Sequence, residues 1–211
     1  MTKFISLLSG GLDSPVATYL MIKKGFLPTI LSFLISDDAE HSMKKKVLLI
    51  IKVLKKFTKN EIKVYLIKHE PNLETFKSSC ERKLTCVLCK RMMIRIAKEI
   101  GRIEDINLLI TGDILGEQAS QTLNNLYSYN DLLNDFILLR PLIGCNKLEI
   151  IKMNEKIGLY QICSQNSASC HYNPQFPETH AKLTEVINAE SAIEFKDLIN
   201  HSLKSAEVLY L

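Results

Sequence analysis

No stretch of this sequence is long and apolar enough to span a bilayer. The best run, Leu27 to Ile35, falls well short of the roughly 20 residues a membrane helix needs. Met1-Thr2-Lys3 leads straight into a strand-like pattern, without the regions of a signal peptide. No membrane role is expected, and the expected compartment is the cytoplasm, where thiols stay reduced. Charge of one sign is also scarce. Lys and Arg total 27 against 23 Asp and Glu, a formal net charge of +4 that permits a nucleic-acid partner without demanding one. Glycines number 8 and prolines 6, with no internal repeat or low-complexity linker, so the chain reads as an ordinary globular protein.

What is present is enough apolar material, 46% of 211 residues, for one real core. Phe4 to Leu8 reads as a buried strand, followed by a helix through Val16, Ala17, Leu20 and Met21 that Gly25 stops. Further strands are expected at Leu27 to Phe33, Lys63 to Ile67, Asn107 to Ile110 and Phe136 to Leu139. Helices are expected around Val47, Ile51 and Leu54, from Leu88 to a stop at Gly101, over Lys147 to Ile157, and over residues 183–203. This alternation predicts an α/β fold: a doubly wound parallel sheet with helices on both faces. Lysines crowd one helix (Lys44, Lys45, Lys46, Lys52, Lys55, Lys56, Lys59) and basic residues another (Lys90, Arg91, Arg95, Lys98, Arg102). Each is read either as a solvated face or as a surface for nucleic-acid phosphates.

The hexapeptide Ser9-Gly10-Gly11-Leu12-Asp13-Ser14 follows the first strand and opens the first helix. Glycines let the backbone come close to a ligand, and a helix N-terminus offers unpaired N–H groups and positive potential to an anion. Ser9 and Ser14 add hydroxyls. Asp13 would repel a phosphate unless it helped hold a magnesium ion. The plainer reading is a strand–turn–helix with an acidic first turn. Cys86-Val87-Leu88-Cys89 sits before the Lys90 helix, where two thiols at that spacing can share a metal.

Ser9 to Ser14 matches the signature of the PP-loop ATP pyrophosphatases. The wider string Leu7 to Ala17 narrows the likeness, as do Lys90-Arg91-Met92-Met93, Thr111-Gly112-Asp113, Gly116 through Thr122, Arg140-Pro141-Leu142-Ile143 and Lys147. Together they resemble the catalytic domain of the tRNA 4-thiouridine synthase (tRNA sulfurtransferase) family, archaeal type, over about residues 3–180. The resemblance implies a thiolation domain over 1–180, with 181–211 as a helical extension packed on it. It implies that Leu7, Leu8, Ser32 and Phe33 frame the adenosine, and that Lys90, Gly112 and Gln121 complete the ATP site with Ser9, Gly10, Gly11, Asp13 and Ser14. Lys147 resembles the lysine required for adenylation, and Cys170 the sulfur-handling cysteine. Ser32, Glu117-Gln118 and Cys145-Asn146 depart from the family's usual residues.

The implied reaction is ATP-dependent thiolation. A uridine carbonyl is adenylated, managed by Asp13, magnesium and Lys147, and a sulfur species on Cys170 then displaces AMP. Cys86, Cys89 and Cys170 are read as an iron–sulfur cluster site, as persulfide or disulfide thiols, or as a zinc site with Cys163 or His171 added. The implied partners are tRNA and a sulfur donor. The family's N-terminal THUMP region is not in this sequence, so tRNA capture is expected through a separate RNA-binding protein or oligomerisation, such as a homodimer. Two other readings stay open: a PP-loop ligase for a small molecule with structural zinc, and a nucleotide-binding subunit of a larger complex.

Overall fold

The structure, a computed structural model, describes residues 2–35, 37–165 and 170–211, and only the backbone of 37–41. Five short strands are parallel: β1 (Lys3–Leu7), β2 (Leu27–Leu34), β3 (Lys63–Lys68), β4 (Leu108–Ile110) and β5 (Ile137–Leu139). A sixth, β6 (Glu207–Tyr210), pairs antiparallel with β3, giving the order β5-β4-β1-β2-β3-β6. The expected doubly wound α/β architecture is thus the observed one, with one antiparallel edge added.

Because β1, β2 and β3 are covered on both faces, their residues run apolar almost without interruption, and alternation only decides which layer each side chain enters. Ile30, Leu34, Val64 and Leu66 pack with α1 (Asp13–Lys23), α2 (Asp37–Leu54) and a later helix over residues 147–157. Leu31, Tyr65 and Ile67 pack on the other face with α3 (Glu70–Ser79) and α4 (Thr85–Glu104). Beyond β4 come α5 (Leu123–Tyr127), α6 (Lys147–Ile157), α7 (Tyr160–Cys163), α8 (Leu183–Glu190) and α9 (Phe195–Lys204).

Three sequence expectations are corrected. Gly101 does not stop α4, which continues to Glu104 and ends at Asp105 with φ +55. Gly101 is instead a contact point: a Cβ there would lie 2.4 Å from the Ile106 carbonyl and 2.5 Å from the Phe136 ring. Residues 181–211 are not all helical, because β6 closes the sheet edge. The basic residues of α4 do not all lie on a solvated face. Arg91 is fully buried and forks onto Glu190 (2.8 Å) and Asp131 (2.6 Å), Arg95 pairs with Glu190 (2.7 Å), and Lys98 and Arg102 pair with Asp135. These ion pairs fix α8 and the segment after α5 to α4. Among the described residues no helix is long and apolar enough to cross a membrane.

Candidate active site

β1 and β4 are neighbours, yet the chain spreads from them in opposite directions along the sheet. A crevice opens at the carboxyl ends of strands where the order reverses, and ligands of open α/β sheets bind there. The loop after β1 carries Ser9, Gly10 and Gly11, and the loop after β4 carries Thr111, Gly112 and Asp113. Gly112 brings the two together. A Cβ on it would stand 2.5 Å from the Ser14 nitrogen and 2.6 Å from its Cα, so only glycine lets the second loop lie against the start of α1.

The first loop is cross-braced from within. The Ser9 N–H donates to Ser14 Oγ at 2.8 Å, and the two hydroxyls lie 3.0 Å apart. Leu12 is the N-cap of α1 and offers no side-chain cap, so the helix start is left to an external acceptor. Asn154 of α6 donates to the Leu12 carbonyl at 2.8 Å, tying that helix to the loop. Asn146 and Glu149 form a capping box that starts α6 at Lys147. The Lys147 ammonium consequently reaches Asp13 Oδ1 at 2.7 Å and Glu117 at 3.2 Å. Burial works against the Lys147 charge, but these two carboxylates outweigh it and hold its pKa above the usual lysine value.

Asp113 is 1% exposed and is met by Lys90 Nζ at 2.7 Å, Thr111 Oγ1 at 2.7 Å and Arg140 Nε at 3.3 Å. Burial pushes its pKa up, but the Lys90 ammonium, with Thr111 and Arg140, holds it below the usual carboxylate value. Gln121 lines the same crevice and uses Oε1 to accept the Ile114 N–H at 3.2 Å, which shapes the turn after β4.

A cavity of about 300 Å³ is lined by Leu7, Leu8, Ser9, Asp13, Ser14, Phe33, Lys90, Gly112, Gln121, Cys86, Cys89 and Cys170. Most of the residues singled out in the sequence therefore meet on one space. Gly10 and Gly11 form the adjoining loop, and Lys147 reaches the cavity's edge through Asp13. Ser32 does not join them. Alternation along β2 turns Leu31 and Phe33 toward the cavity and Ser32 to the opposite face, where its hydroxyl is buried without a hydrogen-bond partner among the described residues. Met43, Asp113, Tyr172 and Asn173 also line the cavity. Asp113 stood within the Thr111-Gly112-Asp113 motif, whereas Met43 and Tyr172 gave no local signal.

The thiols sit at the α4 end. Cys89 Sγ lies 3.3 Å from His69 Nε2, and Cys86 Sγ donates to Asn173 Oδ1 at 3.7 Å. Burial raises both thiols above the usual cysteine pKa, and the Cys170 charge adds to the effect on each. His69 is fully buried, which lowers its pKa to about 3, and Asn72 holds its other nitrogen at 3.1 Å. Among the described residues no three of His, Cys, Asp or Glu converge closely enough to hold a metal ion. Cys86, Cys89 and Cys170, the residues expected to carry a cluster, do line one cavity. Cys163 is buried in the core layer that packs α1 and α2 on the sheet, its pKa pushed up to about 11 by burial, and His171 lies 3.8 Å from Glu70.

A family model described as "Thiamine biosynthesis protein (ThiI)" matches residues 1–195. The chain belongs to the ThiI family. A "Probable tRNA sulfurtransferase" of Methanosarcina mazei is 38% identical over 210 residues, covering 99% of this chain and 52% of that relative. One from Methanocaldococcus jannaschii is 38% identical over 187 residues, covering 87% of this chain and 48% of that relative. The chain thus spans about half the length of the curated ThiI-family relatives it matches. A solved "4-thiouridine synthetase - RNA complex with bound ATP" superposes at a TM-score of 0.92 and 27% identity, over 100% of this chain and 55% of that one. An NMN synthetase from Francisella tularensis shares the fold alone, at a TM-score of 0.58 and 18% identity over 95% of this chain and 82% of that one.

Proposed function

We propose that this chain is the catalytic part of an ATP-dependent tRNA sulfurtransferase that makes 4-thiouridine. What supports this reading is one convergence: the phosphate loop, the Asp13–Lys147 pair and three cysteines border a single cavity of about 300 Å³. ATP would lie with its phosphates against Ser9 to Ser14 and its adenosine against Leu7, Leu8 and Phe33. Magnesium suits the carboxylate of Asp13 together with phosphate oxygens, and when bound would neutralise phosphate charge. Lys147, held by Asp13, offsets the charge that builds at the α-phosphate as pyrophosphate leaves. Its fixed position means little reorganisation is needed at that moment.

Adenylation is the sensible first step because a carbonyl oxygen is a poor leaving group and AMP a good one. The uridine oxygen attacks the α-phosphate, and sulfur carried on Cys170 then displaces AMP. A thiol of Cys86 or Cys89, on the same cavity wall, then attacks Cys170 at the sulfur–sulfur bond, leaving the outer sulfur on the base and a protein disulfide. An external dithiol reduces that disulfide, and a donor of sulfane sulfur reloads Cys170 as a persulfide. Arg91 and Arg95 of α4 are engaged with Glu190, so tRNA contact falls to the remaining exposed basic residues, to a second copy or to a separate RNA-binding protein.

The test is release of pyrophosphate from ATP by the purified chain with unmodified tRNA, a persulfide donor and a dithiol reductant. Release that depends on tRNA, with 4-thiouridine formed in step, supports the reading. Release driven equally by small-molecule acceptors and not by tRNA opposes it.

A further inference from the structure

Lys46 does not behave as a surface lysine. It belongs to a run of three lysines on α2, and Lys44 in that run meets the partly exposed Glu207 at 2.6 Å. Lys46, by contrast, is only 7% exposed. Its Nζ donates to the carbonyls of Cys163 at 3.1 Å and Gln165 at 2.7 Å, both neutral acceptors. Among the described residues no carboxylate pairs with it, and burial pulls its pKa below the usual lysine value, with the Cys163 thiol opposing. An ammonium taken out of water without a counter-ion is a standing destabilisation, tolerated where something else is gained.

Its position suggests what that gain is. The side chain lies across the phosphate loop: a Cβ on Gly10 would stand 3.1 Å from Lys46 Cδ and 3.5 Å from Cε. Glycine at position 10 is therefore what allows this lysine to lie so close.

We propose that Lys46 is a phosphate-binding residue of this site and supplies the counter-charge for the pyrophosphate half of the nucleotide. This rests on the nucleotide-binding reading above and names a further residue and the part of the ligand it holds. Being desolvated already, its charge is little screened by salt. Being anchored by two carbonyls, it needs little side-chain ordering when the anion arrives. Lys147 would then serve the α-phosphate through Asp13 while Lys46 serves the departing phosphates.

The test is calorimetric titration of the full chain, magnesium present, with pyrophosphate, AMP and the α,β-methylene analogue of ATP. Wild type is compared with Lys46→Met and Lys46→Gln. Both variants are expected to lose at least about tenfold in affinity for pyrophosphate and the ATP analogue, while AMP binding stays within about twofold. Lys46→Gln can still donate to the two carbonyls, so it separates lost charge from lost anchoring, and it serves if the methionine variant does not fold. Unchanged pyrophosphate affinity in Lys46→Gln, or an AMP loss as large as the ATP-analogue loss, overturns the proposal. Failure of the wild type to bind any of the three overturns the nucleotide reading itself.

Discussion

Lys147 Nζ lies 2.7 Å from Asp13 Oδ1, joining the first residue of α6 to the first residue of α1 across 134 positions of sequence. The pair sets a lysine beside the phosphate loop, and its two members should act as a unit. Asp13→Asn and Lys147→Ala are each expected to lower ATP-to-pyrophosphate turnover by about 100-fold or more, and the double variant little further. Steady-state pyrophosphate release measures this. Full turnover in both single variants would remove the assigned roles.

Gly112→Ala should act on the fold and the site together. A Cβ 2.5 Å from the Ser14 nitrogen forces the β4 loop away from α1, at about 1–3 kcal/mol for an overpacked backbone contact. Urea unfolding should show that loss, and nucleotide titration should show weakened binding. Gly144→Ala is the control, since a Cβ there meets nothing within 4 Å.

The Arg91 network predicts a stability effect with no direct part in RNA contact. Arg91→Ala removes one of the two guanidinium forks on Glu190, 7% exposed, leaving Arg95 on it, and strips Asp131 of its partner, and should cost about 2–3 kcal/mol of unfolding free energy. Denaturant titration reads this directly. A stable Arg91→Ala variant that instead loses tRNA affinity would restore the exposed-helix reading.

His69 should make stability depend on pH in a definite direction. Its folded pKa is lowered to about 3 by burial, whereas the unfolded chain titrates near 6.5. Between those values the unfolded state binds the extra proton, so stability rises with pH and is lost as pH falls below about 6.5. From pH 6.5 to pH 5 this group alone should remove about 1.5 kcal/mol. His69→Gln should flatten that part of the profile in urea titrations run at each pH. An unchanged slope would mean His69 takes up its proton in the folded state.

Much of the fold was legible because buried strands and amphipathic helices leave strong apolar patterns. Phe4 to Leu8, Lys63 to Ile67 and the helix opening at Lys147 lie where periodicity and capping residues put them. The misses were of another kind. β6, whose Glu207 to Tyr210 pair with Leu66 to Lys63 of β3, is joined to it only by this distant contact and carries no signal of its own. Gly101 reads as a helix stop, yet it is required by the Phe136 ring packed on it. The phosphate loop was legible because glycine and hydroxyl spacing encode it locally. Burial of Arg91 and Lys46 was not, because a basic residue spells the same whether it meets water or a partner brought in by tertiary packing. Ser32 went astray for a simpler reason: a shift of one residue along a strand exchanges the faces of the sheet.

The most direct test of the central claim is mass spectrometry of tRNA nucleosides from cells with and without the gene. Loss of 4-thiouridine, with other thionucleosides unchanged, is the predicted result. An unaltered 4-thiouridine level would contradict the account, leaving an adenylating fold with a different acceptor.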